Sequence, residues 1–176
     1  MKKAALGPLL LVAACVRVPV SEPIGHTPPP SSTLLPKEPV RFEYESLGDL
    51  SVSAPALRGR PAVIAFLVSD TLAGQAEASL MTLMAEKHPD LARYVIVAVE
   101  PADRRELVVG FIRFFTDKAH PVILAAMADH DTLLGQGPFG DVRGLTVVVL
   151  DRSGRIVWRR SGVVQETDVA RVLEAM

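Results

Sequence analysis

Ala62-Val63-Ile64-Ala65-Phe66-Leu67-Val68 is an unbroken run of seven apolar residues, the pattern of a strand buried on both faces. Tyr94-Val95-Ile96-Val97-Ala98-Val99 repeats it over six residues, and Leu145-Thr146-Val147-Val148-Val149-Leu150, apolar but for Thr146, reads as another strand. Between the first two runs, Ala73, Ala76, Leu80, Leu83 and Met84 recur at helical spacing from Leu72 to Lys87, and His88-Pro89-Asp90 ends that helix. A second helix begins at Asp103 and carries Leu107, Val108, Phe111, Ile112 and Phe115. Pro121 to Leu124 reads as a further strand, followed by a short helical stretch to Leu134. Val40-Arg41-Phe42-Glu43-Tyr44 alternates apolar and polar, which predicts a half-buried strand opening the domain near Val40. Turns are predicted at Ser46–Leu50 and Ala56–Pro61. Asp151-Arg152-Ser153-Gly154 is a hairpin turn leading into Ile156-Val157-Trp158. Thr167 to Met176 is a last helix, with Val169, Val172 and Leu173 toward the sheet. The order predicts an α/β fold with a central mixed β-sheet and helices on both faces.

The chain begins differently. Lys2 and Lys3 precede Leu6 to Ala14, an apolar stretch interrupted by Gly7 and Pro8. A spanning helix needs about 20 apolar residues, so this segment is too short to remain as one and reads as a cleaved signal. Val12-Ala13-Ala14-Cys15 matches a lipobox: an aliphatic residue, two small ones and the cysteine that accepts a diacylglycerol. Lipidation at Cys15 with cleavage before it gives several acyl chains at the new N-terminus, each methylene worth about 0.8 kcal/mol of membrane affinity. An ordinary secretory signal with an incidental cysteine is the other reading. Val16, where an inner-membrane retention signal has aspartate, favours the outer membrane.

Removal of residues 1–14 leaves about 160 residues, enough for one domain with its own core. Loss of Lys2 and Lys3 takes the formal charge from −1 to about −3. That balance suggests neither nucleic acid nor a basic membrane patch. Seven of the 14 prolines fall between Val16 and Pro39, including Pro28-Pro29-Pro30. Proline lacks the amide donor that helices and sheets need, so residues 15–39 read as the lipidated cysteine and a solvated tether. At about 3.1 Å per extended residue it would reach roughly 70 Å. Residues 40–176 are the expected domain.

Three landmarks in that domain resemble the thioredoxin-like superfamily, and more closely its TlpA-like branch of membrane-tethered periplasmic thiol oxidoreductases. Leu57-Arg58-Gly59-Arg60-Pro61 before Val63-Ile64-Ala65-Phe66 is similar to that branch's Leu-Arg-Gly-Lys-Pro and first core strand. Gly137-Pro138-Phe139-Gly140-Asp141-Val142-Arg143-Gly144 is similar to the loop leading to its cis-proline, and Val149 to Val157 to its hairpin. The resemblance implies a thioredoxin-like fold and a redox site after Phe66. There the active branch places Cys-x-x-Cys at a helix N-terminus, where the dipole lowers the nucleophile's pKa.

This chain departs from that pattern. Phe66-Leu67-Val68-Ser69-Asp70-Thr71-Leu72-Ala73-Gly74 aligns without a gap and puts Thr71 at the nucleophile and Gly74 at the resolving cysteine. Cys15 is the only cysteine of the sequence. Leu145 stands at the cis-proline position after Gly144. A non-proline cis peptide costs about 3 kcal/mol, so a trans bond is expected there. A threonine hydroxyl does not carry out disulfide exchange and needs a base to act as a nucleophile. Asp70 adjoins it, and His88, His120 and His130 would have to approach through the fold. As a structural residue, Thr71 or Asp70 caps the helix starting at Leu72, worth about 1 kcal/mol. Asp129-His130-Asp131 with His120 offers metal-ligand atoms, set against plain surface charge. Arg104-Arg105 and Arg159-Arg160 read first as solvated. The latter pair beside Trp158 is a contact-surface candidate, against burial of Trp158 on the last helix.

The sequence therefore predicts a lipid-anchored envelope protein with a thioredoxin-like domain and no thiol-disulfide activity. It is expected to be no enzyme, to have no catalytic residue, no metal and no cofactor, and to be a binding or accessory module. Asp70, Thr71, Leu72, Ala73, Gly74, Gly144 and Leu145 form the candidate binding surface for an envelope protein partner. The alternatives are an oxidoreductase-family enzyme with a divergent site, working through an external thiol, and a Thr71-based hydrolase.

Overall fold

A computed structural model describes residues 35–48, 50–67, 72–116, 123–128, 133, 138, 139, 142 and 146–176. In chain order the elements are β1 (Glu43–Ser46), β2 (Val52–Ser53), α1 (Ala54–Leu57), β3 (Ala62–Leu67), α2 (Leu72–Lys87), β4 (Arg93–Val99), a 3-10 turn (Ala102–Arg104), α3 (Arg105–Thr116), β5 (Ile123–Ala128), β6 (Thr146–Leu150), β7 (Ile156–Ser161) and α4 (Glu166–Glu174). The strands form one seven-stranded mixed sheet in the order β2-β1-β5-β4-β3-β6-β7.

The three apolar runs become the centre of this sheet. β3 pairs in parallel with β4 and antiparallel with β6, and its six residues are all buried. Side chains alternate across a strand, so each run feeds two cores. Val63, Ala65 and Leu67 join Tyr94, Ile96, Ala98, Val147 and Val149 on one face. Ile64 and Phe66 join Val95, Val97, Val99, Val148 and Leu150 on the other.

The chain steps from β3 through α2 to β4, and through α3 to β5, moving the same way across the sheet each time. Parallel crossovers share one hand, so both helices land on the same face. Ala78, Met81 and Met84 of α2, Val108 and Ile112 of α3, and Val169 and Leu173 of α4 make up that core. The opposite face is covered by α1 through Leu57, by Leu35, Val40 and Phe42, and by Leu133, Phe139 and Val142. Helices thus cover both faces, as the apolar pattern predicts, with the three long ones on one side.

Some details differ from the sequence pattern. Val40 and Phe42 alternate like a strand but pack as an extended strap, and the first strand begins only at Glu43. The strap is seated from Leu35 onward, and the Val40 amide donates to the Gly154 carbonyl at 2.9 Å. In α2, Ala76 and Leu83 face outward while Ala78, Met81 and Ala85 are buried. In α3, Leu107 is 54% exposed. The hairpin Asp151–Gly154 forms as read: Asp151 Oδ1 accepts from the Ser153 and Arg155 amides at 2.8 and 2.9 Å. Gly154 sits at φ +86°, a conformation costly for residues with a Cβ.

Candidate functional site

The sheet sets the place of the site. Phe66, next to last in β3, pairs with Thr146, first in β6, and Leu67 pairs with Ala98 of β4. β4 and β6 flank β3 on opposite sides, β4 parallel and β6 antiparallel, so the chain's course across the sheet reverses at β3. Open α/β sheets bind ligands beyond the strand C-termini at such a switch point. Helix α2 starts at Leu72, so Leu72, Ala73 and Gly74 lie in its first turn.

Asp70, Thr71, Gly144 and Leu145 lie outside the described residues, as do Cys15, His120 and His130. The trans bond expected at Gly144-Leu145 and the cap expected from Thr71 or Asp70 lie outside them too. The described residues contain no cis peptide, and no helix among them is long and apolar enough to cross a membrane.

Under this edge lies an aromatic cluster. Phe66 meets Phe139 at 5.1 Å between ring centroids and Tyr44 at 6.1 Å, edge-on. Phe42 meets Tyr44 and Phe139, each at 5.2 Å. Such pairs add about 0.5–1.5 kcal/mol each beyond area burial. The Tyr44 hydroxyl is buried with no hydrogen-bond partner among the described residues, and burial pushes its pKa well above the ordinary tyrosine value. It stays a neutral phenol. Thr146, fully buried, shares a 3.0 Å hydrogen bond with the Ser161 hydroxyl on β7, which satisfies its polar atom.

Glu100, missed by the sequence reading, is a buried carboxylate directly after β4. Arg104 Nη1 lies 3.4 Å from it, and Arg105 bonds Glu45 of β1 at 2.8 Å. Both arginines are exposed, as the sequence reading expects, and are ion-paired as well. Glu43, Glu45 and Glu100 border a cavity of about 220 Å³ with Met127 and Ala128. The available signal was a charge closing an apolar run, Val97-Ala98-Val99-Glu100. His88 Nε2 lies 2.8 Å from Glu166, distant from β3's C-terminal end, and the Tyr94 hydroxyl donates to the His88 carbonyl at 2.7 Å. Trp158 packs partly buried on the core that holds Val169 and Leu173, and Arg160 pairs with Asp168 of α4 at 2.7 Å.

The described part of the site offers a buried phenol, a paired carboxylate and backbone at strand ends. Among the described residues no three His, Cys, Asp or Glu side chains are grouped to hold a metal ion.

No protein-family model and no curated protein matches the chain. Solved structures do. A DsbF homologue from Corynebacterium diphtheriae superposes with a TM-score of 0.63 at 18% identity, covering 78% of this chain and 86% of that one. A thio-disulfide isomerase from Thermus thermophilus gives 0.60 at 23% identity, covering 81% and 96%. The pneumococcal exposed lipoprotein thioredoxin from Streptococcus pneumoniae gives 0.61 at 14% identity, covering 77% and 99%. Likeness at these identities establishes the fold, which is thioredoxin-like.

Proposed function

We propose that the protein is a lipid-anchored envelope protein whose thioredoxin-like domain binds a partner protein without thiol chemistry. One observation carries the reading: the only sulfhydryl in the sequence is Cys15, inside the lipobox, so residues 16–176 have none. Disulfide exchange proceeds through a thiolate, and a domain of thioredoxin-like fold without one keeps the scaffold but not the reaction. The similarity to solved structures that include an exposed lipoprotein thioredoxin supports an envelope location. The proposed contact surface is Asp70, Thr71, Leu72, Ala73 and Gly74, which follow β3 in the chain, with Gly144 and Leu145, which precede β6. Val16 after the acceptor cysteine favours the outer membrane.

The test is insulin reduction by the chain from residue 16. No rate above the uncatalysed blank is expected, and measurable turnover would overturn the reading in favour of an enzyme using an external thiol. The double variant Thr71→Cys/Gly74→Cys is expected to gain activity if the scaffold still presents these positions at a helix N-terminus. A photoreactive residue at position 71 is expected to capture a partner from envelope fractions that one at position 171 does not; equal capture at both would count against this surface.

A further inference from the structure

A formal charge of −1 over the whole chain conceals a segregated surface. Lys37, Arg41, Arg58, Arg152 and Arg155 are all exposed, and the fold gathers them where β3 begins. The Gly59 amide donates to the Arg152 carbonyl at 2.9 Å, and Val40 to Gly154 at 2.9 Å. A Cβ on Gly154 would stand 3.9 Å from both Arg58 Cγ and Pro39 Cβ. Arg41 and Arg58 border one groove of about 730 Å³, and Lys37 and Arg155 border another of about 390 Å³. Glu43 borders the first groove and Asp151 the second, Glu38 adjoins Lys37 in the chain, and Asp90 beside the start of β3 pairs with Arg60 at 3.8 Å. Asp151 is occupied, accepting from the Ser153 hydroxyl and from the Ser153 and Arg155 amides.

We propose that this end of the domain docks on anionic phospholipid headgroups. Two observations select a lipid surface over another polyanion. The strap seated here is where the chain arrives from the segment leading back about 20 residues to Cys15, so an anchor on Cys15 tethers the domain from this end, within reach of the bilayer. The second groove also mixes its charges with apolar Leu35, Ile156 and Val157, the last 37% exposed, which suits a headgroup boundary better than a purely polar partner. The place of this contact in the cell rests on the proposed anchoring. Its consequence is orientation: the C-terminal end of β3 lies about 16 Å further along the strand, at about 3.3 Å per residue, and faces away from the bilayer toward envelope partners.

The chain from residue 16 retains every residue of both cores and tests the contact without acyl chains. It is sedimented at low salt with phosphatidylcholine vesicles containing or lacking phosphatidylglycerol. Partition into the anionic vesicles only is expected, with loss at 0.5 M salt, where the Debye length falls to a few ångströms. A basic side chain near such a surface is worth about fivefold, so Arg152→Glu and Arg155→Glu should each weaken partition at least fivefold. Arg171→Glu makes the same change of net charge on α4 and should leave it unaltered. No partition into anionic vesicles, equal partition into both, or an equal loss with Arg171→Glu would overturn the proposal. So would retention on immobilised polyglutamate without vesicle binding, which assigns the patch to an acidic protein. Failure of the anchor itself registers elsewhere, in membrane fractionation of a Cys15→Ser chain, and leaves this assay unchanged.

Discussion

Two tyrosines, Tyr94 fully buried and Tyr44 partly so, show how single polar atoms are treated in this core. The Tyr94 hydroxyl donates to the His88 carbonyl, and burial raises its pKa to about 12 despite the lowering effect of Arg60. The Tyr44 hydroxyl is buried and lacks a partner among the described residues. A satisfied hydrogen bond contributes about 1 kcal/mol, whereas an unsatisfied buried group carries a penalty of about 1–3 kcal/mol. Opposite signs are therefore expected. Tyr94→Phe should lower stability by about 1 kcal/mol and Tyr44→Phe should raise it by about that amount, read as shifts in the denaturant midpoint at constant m-value. Destabilisation by Tyr44→Phe would show that its hydroxyl has a partner. Residue identity made both tyrosines core candidates. Which hydroxyl finds a carbonyl depends on His88 ending α2 beside β4, and no local pattern encodes that.

At the scale of elements, the α2 sequence specifies helix but not phase, whereas the α3 stripe through Val108, Phe111 and Ile112 is the one that packs. Helix α2 is apolar on more than one side, so a stripe drawn through Ala73, Ala76, Leu80, Leu83 and Met84 is only one of several. Contact with the sheet keeps Leu80 and Met84 of that stripe, adds Ala78, Met81 and Ala85, and leaves Ala76 and Leu83 facing outward. The β7 strand shows the reverse case, a period that breaks. A bulge at the Val149/Leu150 level lets Ile156 pair with Leu150 and Trp158 with Val149, which sends the two side chains into opposite cores. Simple alternation would put them on one face. The helices are tied at the far end from the site, where Glu166 opens α4 between His88 at 2.8 Å and Lys87 at 3.4 Å, just after and at the end of α2. The His88 hydrogen bond, joined by Lys87, holds the Glu166 carboxyl below its ordinary value of 4.5. A lowered carboxyl stabilises the fold above its unfolded value, and the contribution is lost as pH falls through the folded value. Glu166→Gln should therefore be less stable than the parent at pH 7, with the gap closing below pH 4.5. Equal gaps at pH 7 and pH 3 in thermal denaturation would remove the ion pair from the account.

For the whole molecule, the sheet separates two ends: one where β3 begins, carrying the strap and the basic hairpin, and one where β3 finishes and the candidate contact surface lies. Cys15→Ser tests the first link in that arrangement. The substituted chain is expected to leave the membrane fraction for the soluble one or to persist as an uncleaved precursor. Unchanged membrane association and mature size would exclude lipidation at Cys15.

The sequence by itself determined the class of fold, because runs such as Ala62–Val68 and Tyr94–Val99 leave no solvent face and can form only the centre of a covered sheet. It also determined that the domain has no thiol, since that is a matter of composition. The tertiary structure alone decided that Glu100 is buried against Arg104 and that the bulge in β7 divides Ile156 from Trp158. It also gathered Lys37, Arg58 and Arg155, spread over more than a hundred positions, at one end of the sheet. Burial and pairing among distant residues are fixed by where the strands place them, and a net charge of −1 records the sum of the charges but not their separation.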